Sequence, residues 1–220
     1  MNKRPFVSWL LLAIQLLVFV VMESVGSTSD TQTLILFGAK YAPLLALGQW
    51  WRLILPIFIH IGLSHLIINS LTLFFLGPMV ERITGHFKFL LIYLAAGVMG
   101  NALSYQFSPS VSAGASTSLF GLFAVFIALA ILYPKNHYFQ VLGKQYRTLI
   151  IVNIILNVFS SGVDLWGHVG GMLGGMLFTF VIMAGQRDSF NWGHRALALL
   201  GYGAILAFIL MNHGIYNLLI

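Results

Sequence analysis

The run from Phe6 to Val25, broken only by Ser8, Gln15, Glu23 and Ser24, is long enough to cross a lipid bilayer, and most of the chain repeats that pattern. Inside hydrocarbon every backbone N–H and C=O must be satisfied within the segment, which leaves the α-helix for runs of this kind. Of 220 residues, 59% are hydrophobic and 7% charged, far from the balance of a water-soluble domain. A crossing takes about 20 residues, so the chain has room for six or seven and little else. The expectation is an all-α polytopic membrane helical bundle, one domain over residues 1–220, with no separate soluble part.

Lys3-Arg4 and the apolar run resemble a signal peptide, but the run is too long and lacks a small-residue cleavage pattern, so it reads as the first span. Residues 26–51 then mix polar residues with Leu34-Ile35-Leu36-Phe37 and end in Gln49-Trp50-Trp51-Arg52, the composition of an interfacial loop. Further spans are expected at Leu53 to Leu76, closed by Gly77-Pro78, at Phe87 to Phe107, and at Ser116 to Tyr133, stopped by Pro134. A short one follows at Thr148 to Phe159, carrying Asn153 and Asn157, then Gly167 to Met183 and Ala196 to Leu219. With the N-terminus inside, Lys3, Arg4, Arg82, Lys88, Lys135, Lys144, Arg147, Arg187 and Arg195 face the cytoplasm and Lys40 and Arg52 the exterior, the bias that inner loops show. The net charge of +6 is therefore a topology signal; its carriers are scattered singly, not gathered into a nucleic-acid patch. There are no cysteines, which excludes disulfides, thiol nucleophiles and thiolate metal sites.

Gly114-Ala115-Ser116 follows the turn-forming Ser108-Pro109-Ser110, so a helix should begin near Ser116 and leave its hydroxyl beside unpaired backbone N–H groups. Small residues here also suit plain helix contact, as do Gly97, Gly100, Gly121, Gly171 and Gly175. On this map Ser116 and His168 open their spans at the outer side, while His65 and Asn69, four apart on one face, lie several residues in from the outer end of theirs. Polar groups in a bilayer are costly unless paired, so a set from three helices at one depth implies a shared cavity. The chemistry that fits is acyl transfer, with Ser116 as nucleophile, His168 as base, and His65, Asn69 and the Ser116 N–H as oxyanion donors. Asp164 could orient His168 or simply be solvated in the outer loop, and His60 reads as a partner for loop backbone. His86, His137 and His194 fall in inner loops, and His213 near the outer end of the last span.

Taken together, Trp51-Arg52, the set His60, His65 and Asn69, Gly114-Ala115-Ser116, and Gly167-His168 with Gly171 and Gly175 resemble the rhomboid intramembrane serine proteases, in the family's order. The resemblance implies a rhomboid-like fold with a six-helix core over about 5–185, an extra C-terminal transmembrane helix over about 196–219, and a catalytic dyad of Ser116 and His168 without an aspartate. It implies that His65 and Asn69 line the oxyanion site, that Phe120 packs on the histidine, and that Glu81-Arg82 and Gly85 form a structural element after the second span. Gly114, Ala115, Thr117 and Phe120 are the expected substrate-side and packing residues. Thr117 stands where the family usually has Gly, which bears on the pocket beside the oxyanion site. The implied partners are single-span membrane-protein substrates and the lipid bilayer, with no nucleic acid, metal or organic cofactor. The implied location is a bacterial plasma membrane, with the C-terminus and the active-site opening outside. Two other readings stay open: an inactive rhomboid relative that binds membrane clients, and a small-solute transporter, although the latter should place its polar residues near the midplane of two matched halves. A membrane metalloprotease would need a carboxylate among the histidines of the second span, which has none.

Overall fold

The computed structural model describes residues 4–160, 162–183 and 192–212. Over these the chain forms α1 (Phe6–Val25), α2 (Thr31–Leu36), α3 (Ala42–Ala46), 3-10 turns at Trp50–Leu53 and Leu55–Phe58, α4 (Gly62–Thr84), α5 (His86–Phe107), α6 (Ser116–Leu132), α7 (His137–Val158), α8 (Leu165–Met183) and α9 (Trp192–Met211). By length and composition α1, α4, α5, α8 and α9 can each cross a membrane, and the chain is an integral membrane protein. α6 is apolar but has only 17 residues, and α7, with Lys144, Gln145 and Arg147, is long but not apolar enough by the same measure.

Several expected boundaries move. The span expected over Leu53 to Leu76 is two things: its first residues are 3-10 turns, with Ile57 buried in the main helical core and Ile59 in a smaller cluster with Met22, Leu34, Ala39 and Ala113, and the helix runs on through Gly77-Pro78 to Thr84. Pro78 removes one internal N–H bond without ending α4. Glu81-Arg82 thus lie inside that helix rather than after it. The span expected over Thr148 to Phe159 is the second half of a helix that starts at His137, so Lys144 and Arg147 are helical rather than in a loop. His86 likewise opens α5. The expected last span begins four residues early, at Trp192; its end beyond 212, with His213, and Lys3 and Arg187 lie outside the described residues.

The centre of the bundle is α6, whose apolar residues are buried on nearly every side, gripped by α5 and α8. Glycine sets how close they come. A Cβ on Gly171 would stand 1.9 Å from the Thr117 carbonyl oxygen, and one on Gly175 2.4 Å from the Gly121 Cα, so this edge of α8 lies directly on the α6 backbone. The adjoining edge does the same to α5: Cβ atoms on Gly170 and Gly174 would meet Met99 at 2.7 and 2.5 Å. At the far end the Glu81 carboxylate accepts the Val7 and Ser8 N–H groups at 3.0 and 2.8 Å, satisfying two of the unpaired donors that open α1.

The first part of the long first connection is held by Arg52. Arg52 donates Nη1 to the carbonyls of Ile35 (2.8 Å) and Ala39 (3.0 Å) and Nε to Gln49 Oε1 (2.8 Å), so it holds loop backbone together. Trp50 and Trp51 beside it are exposed, as belt residues are.

Candidate active site

Ser116 is the first residue of α6, and the helix makes its first capping bond from Leu119 N–H to Ala115 O, so no preceding turn supplies a carbonyl for the Ser116 N–H. The chain reaches it through Gly114, at φ 142°, whose missing Cβ leaves room for the His65 ring: a Cβ there would stand 2.5 Å from His65 Cε1. Gly114 N–H bonds Pro56 O at 2.8 Å, and Ala115 N–H donates to His60 Nε2 at 3.4 Å. His60 is fully buried in the loop before α4 and acts on backbone, not in the second span as expected. His65, in the first turn of α4, sits at the helix mouth rather than several residues inside it.

A cavity of about 590 Å³ opens between the starts of α4, α6 and α8 and the end of α7. Ser116, His168, His65, Asn69 and Phe120 all line it, brought from three helices. The His168 ring stacks on Phe120 with centroids 4.1 Å apart and planes 10° from parallel. The Asn69 amide donates to the His65 carbonyl at 2.9 Å, which occupies one of its two N–H groups. Gly114, Ala115 and Thr117 are buried behind the lining rather than in it. Thr117 points away, its methyl toward α8 Gly167 and its Cβ against α5 Gly100, so the residue that replaces the family's Gly shapes helix packing and not the cavity wall. Among the described residues no group of His, Asp and Glu converges as metal ligands would.

Asp164 does not orient the imidazole. Its Oδ1 accepts the Gly167 N–H at 3.0 Å and its Oδ2 the Ser104 hydroxyl, so it caps α8 and ties it to α5. The group that meets His168 is Asn157, near the end of α7, with Nδ2 2.8 Å from Nδ1. Sequence reasoning singled out Asn153 and Asn157 only as polar interruptions of a short span. The signal was their spacing, since residues four apart share a face, and both line the cavity.

One wall of the cavity is formed by the segment from Ser108 to Ala113, held by Lys40. Lys40 Nζ donates to the carbonyls of Ser108 (3.0 Å) and Ser110 (2.5 Å), and its backbone pairs with Ser112 in both directions. Burial pushes this ammonium from the usual 10.5 down to about 8, partly opposed by the Asp164 charge.

Comparison with known proteins places the chain in a family. A family model described as the Rhomboid domain matches residues 47–185. The chain is 42% identical over 174 residues to the Rhomboid protease GluP of Bacillus subtilis (strain 168), covering 79% of this chain and 34% of that protein. It is 35% identical over 147 residues to Rhomboid-like protease 1 of Toxoplasma gondii, covering 64% of this chain and 50% of that one. The chain thus spans about a third to a half of the length of these relatives.

Proposed function

The chain belongs to the rhomboid family, and on that premise we propose that it is an intramembrane serine endopeptidase, cutting a peptide bond in or beside the transmembrane segment of another membrane protein. The observation that carries this reading is the convergence of Ser116, His168, His65 and Asn69 on one cavity. Ser116 Oγ attacks the scissile carbonyl carbon while its proton passes to His168 Nε2, and the carbonyl electron pair becomes an oxyanion. The Ser116 N–H, the free Asn69 N–H and the His65 ring receive that charge. Collapse breaks the C–N bond, the imidazolium gives its proton to the leaving amine, and an acyl ester stays on Ser116. Water then loses a proton to His168, attacks the ester and releases the carboxylic acid product as the proton returns to Ser116 Oγ.

The substrates are single-span proteins with a small residue before the scissile bond, and the N-terminus lies in the cytoplasm of a bacterial cell with the cavity opening outward. Purified protein in detergent should cleave a model single-span substrate, and Ser116→Ala or His168→Ala should lower the rate by about 10³-fold or more. Cleavage at full rate in either variant removes the dyad. Labelling by a fluorophosphonate, lost in Ser116→Ala, separates a working nucleophile from a transporter or an inactive client-binding relative.

A further inference from the structure

To act as a base toward Ser116, the His168 ring needs a fixed plane and its proton on Nδ1, leaving the Nε2 lone pair free. Phe120 meets the first need by stacking on one face. The second depends on what faces Nδ1. Asp164 is close, but its two oxygens are taken by Gly167 N–H and the Ser104 hydroxyl. Asn157 is the residue that meets the ring, half-buried in the last turn of α7.

We propose that Asn157 is a positioning residue for His168, its side-chain amide fixing the imidazole and selecting the tautomer that frees Nε2. This deepens the proposed function and rests on it for its catalytic meaning. A planar amide carries a donor and an acceptor that exchange by a half-turn of χ2. The 2.8 Å contact fits either orientation: with Nδ2 toward the ring, Nδ1 accepts and the ring proton sits on Nε2. With Oδ1 toward the ring, Nδ1–H donates and Nε2 can take the Ser116 proton; the same oxygen then holds the imidazolium. A neutral amide does this without bringing a second carboxylate into a poorly solvated site.

The other asparagines of the cavity show that this contact is a departure. Asn69 and Asn153 each donate back to the carbonyl four residues earlier, His65 O at 2.9 Å and Leu149 O at 2.8 Å, the local bond an asparagine makes on a helix when nothing else claims it. Asn157 instead reaches across to α8 at 2.8 Å. It is a specific tie between two helices that otherwise touch little, since α7 packs mainly on α6.

The test compares the full chain with Asn157→Leu, of similar volume, and Asn157→Asp, which restores an acceptor. Asn157→Leu should lower kcat about 10- to 100-fold with KM within about twofold, and Asn157→Asp should recover most of that loss. The ¹⁵N resonances of the His168 ring, measured in a Ser116→Ala background where activity plays no part, should shift on Asn157→Leu. Unchanged kcat in Asn157→Leu, equal losses of kcat and Tm in both variants, or ring resonances that stay in place would overturn the proposal. Full cleavage by Ser116→Ala would instead sink the protease reading and leave the ring resonances as the decisive measurement for Asn157.

Discussion

Asn69 shows how a single side chain serves the helix and the cavity together. One amide hydrogen satisfies the His65 carbonyl and fixes the rotamer, so the other is held in place before any substrate arrives. Asn69→Ala should cost about 10²-fold in kcat with the fold intact, the loss expected for one oxyanion donor; an unchanged rate would show that Asn69 takes no part in receiving the charge. Lys40 carries a second, pH-dependent expectation. Its folded value near 8 lies below the ordinary 10.5, so between those limits the unfolded chain holds more protons and stability rises with pH. The contribution is complete above 10.5 and is lost as pH falls through 8. Lys40→Met should flatten that part of the Tm-against-pH curve, and an unaltered slope would mean that another group titrates there. Ser116, His168, His65 and Asn69 were legible from sequence because a hydroxyl, two imidazoles and an amide at matching depth in apolar runs are expensive without a purpose. Asn157 was not, because its partner depends on the pitch at which α7 meets α8, and periodicity does not encode that.

At the level of helices, the glycines of α8 set the separation of Ser116 and His168, the proposed nucleophile and base, since Ser116 is one residue before Thr117, on whose carbonyl Gly171 rests. Gly171→Ala places a methyl where backbone already stands and should cost about 1 to 3 kcal/mol, read as a lower Tm, while fluorophosphonate labelling of Ser116 slows. Retained Tm and labelling would mean that α6 and α8 are free to part. Helix ends were the least legible feature. Apolarity does not report backbone conformation, so Leu53, Ile54 and Leu55 looked like the start of a span although the chain there runs through two 3-10 turns, with Leu53 buried and Ile54 and Leu55 exposed. The converse misread α7, whose first turns carry Lys144 and Arg147 on exposed positions and were taken for loop.

Over the whole molecule, the alternation of helix directions puts the starts of α4, α6 and α8 together at one end and the Glu81 cap of α1 at the other. The lack of native cysteine makes the proposed orientation directly testable: a thiol introduced at Ser110 should react with an impermeant maleimide applied to intact cells, and one at Lys135 only after permeabilisation. The reverse pattern would invert the topology. The succession of apolar runs made the all-helical membrane layout readable, whereas the order imposed on the long first connection by Arg52 and Lys40 was not readable from composition. The brevity of α6 has one more result. Its 17 residues rise about 25 Å against a hydrocarbon layer of about 30 Å, so in the proposed orientation, with Leu132 at the inner boundary, the serine hydroxyl would hang roughly 5 Å below the opposite one. On the proposed protease reading this makes the protein a depth gauge that selects a bond by how far it sinks from the membrane surface, and lengthening a client's apolar stretch by a single turn should move the cut along the client by about as much.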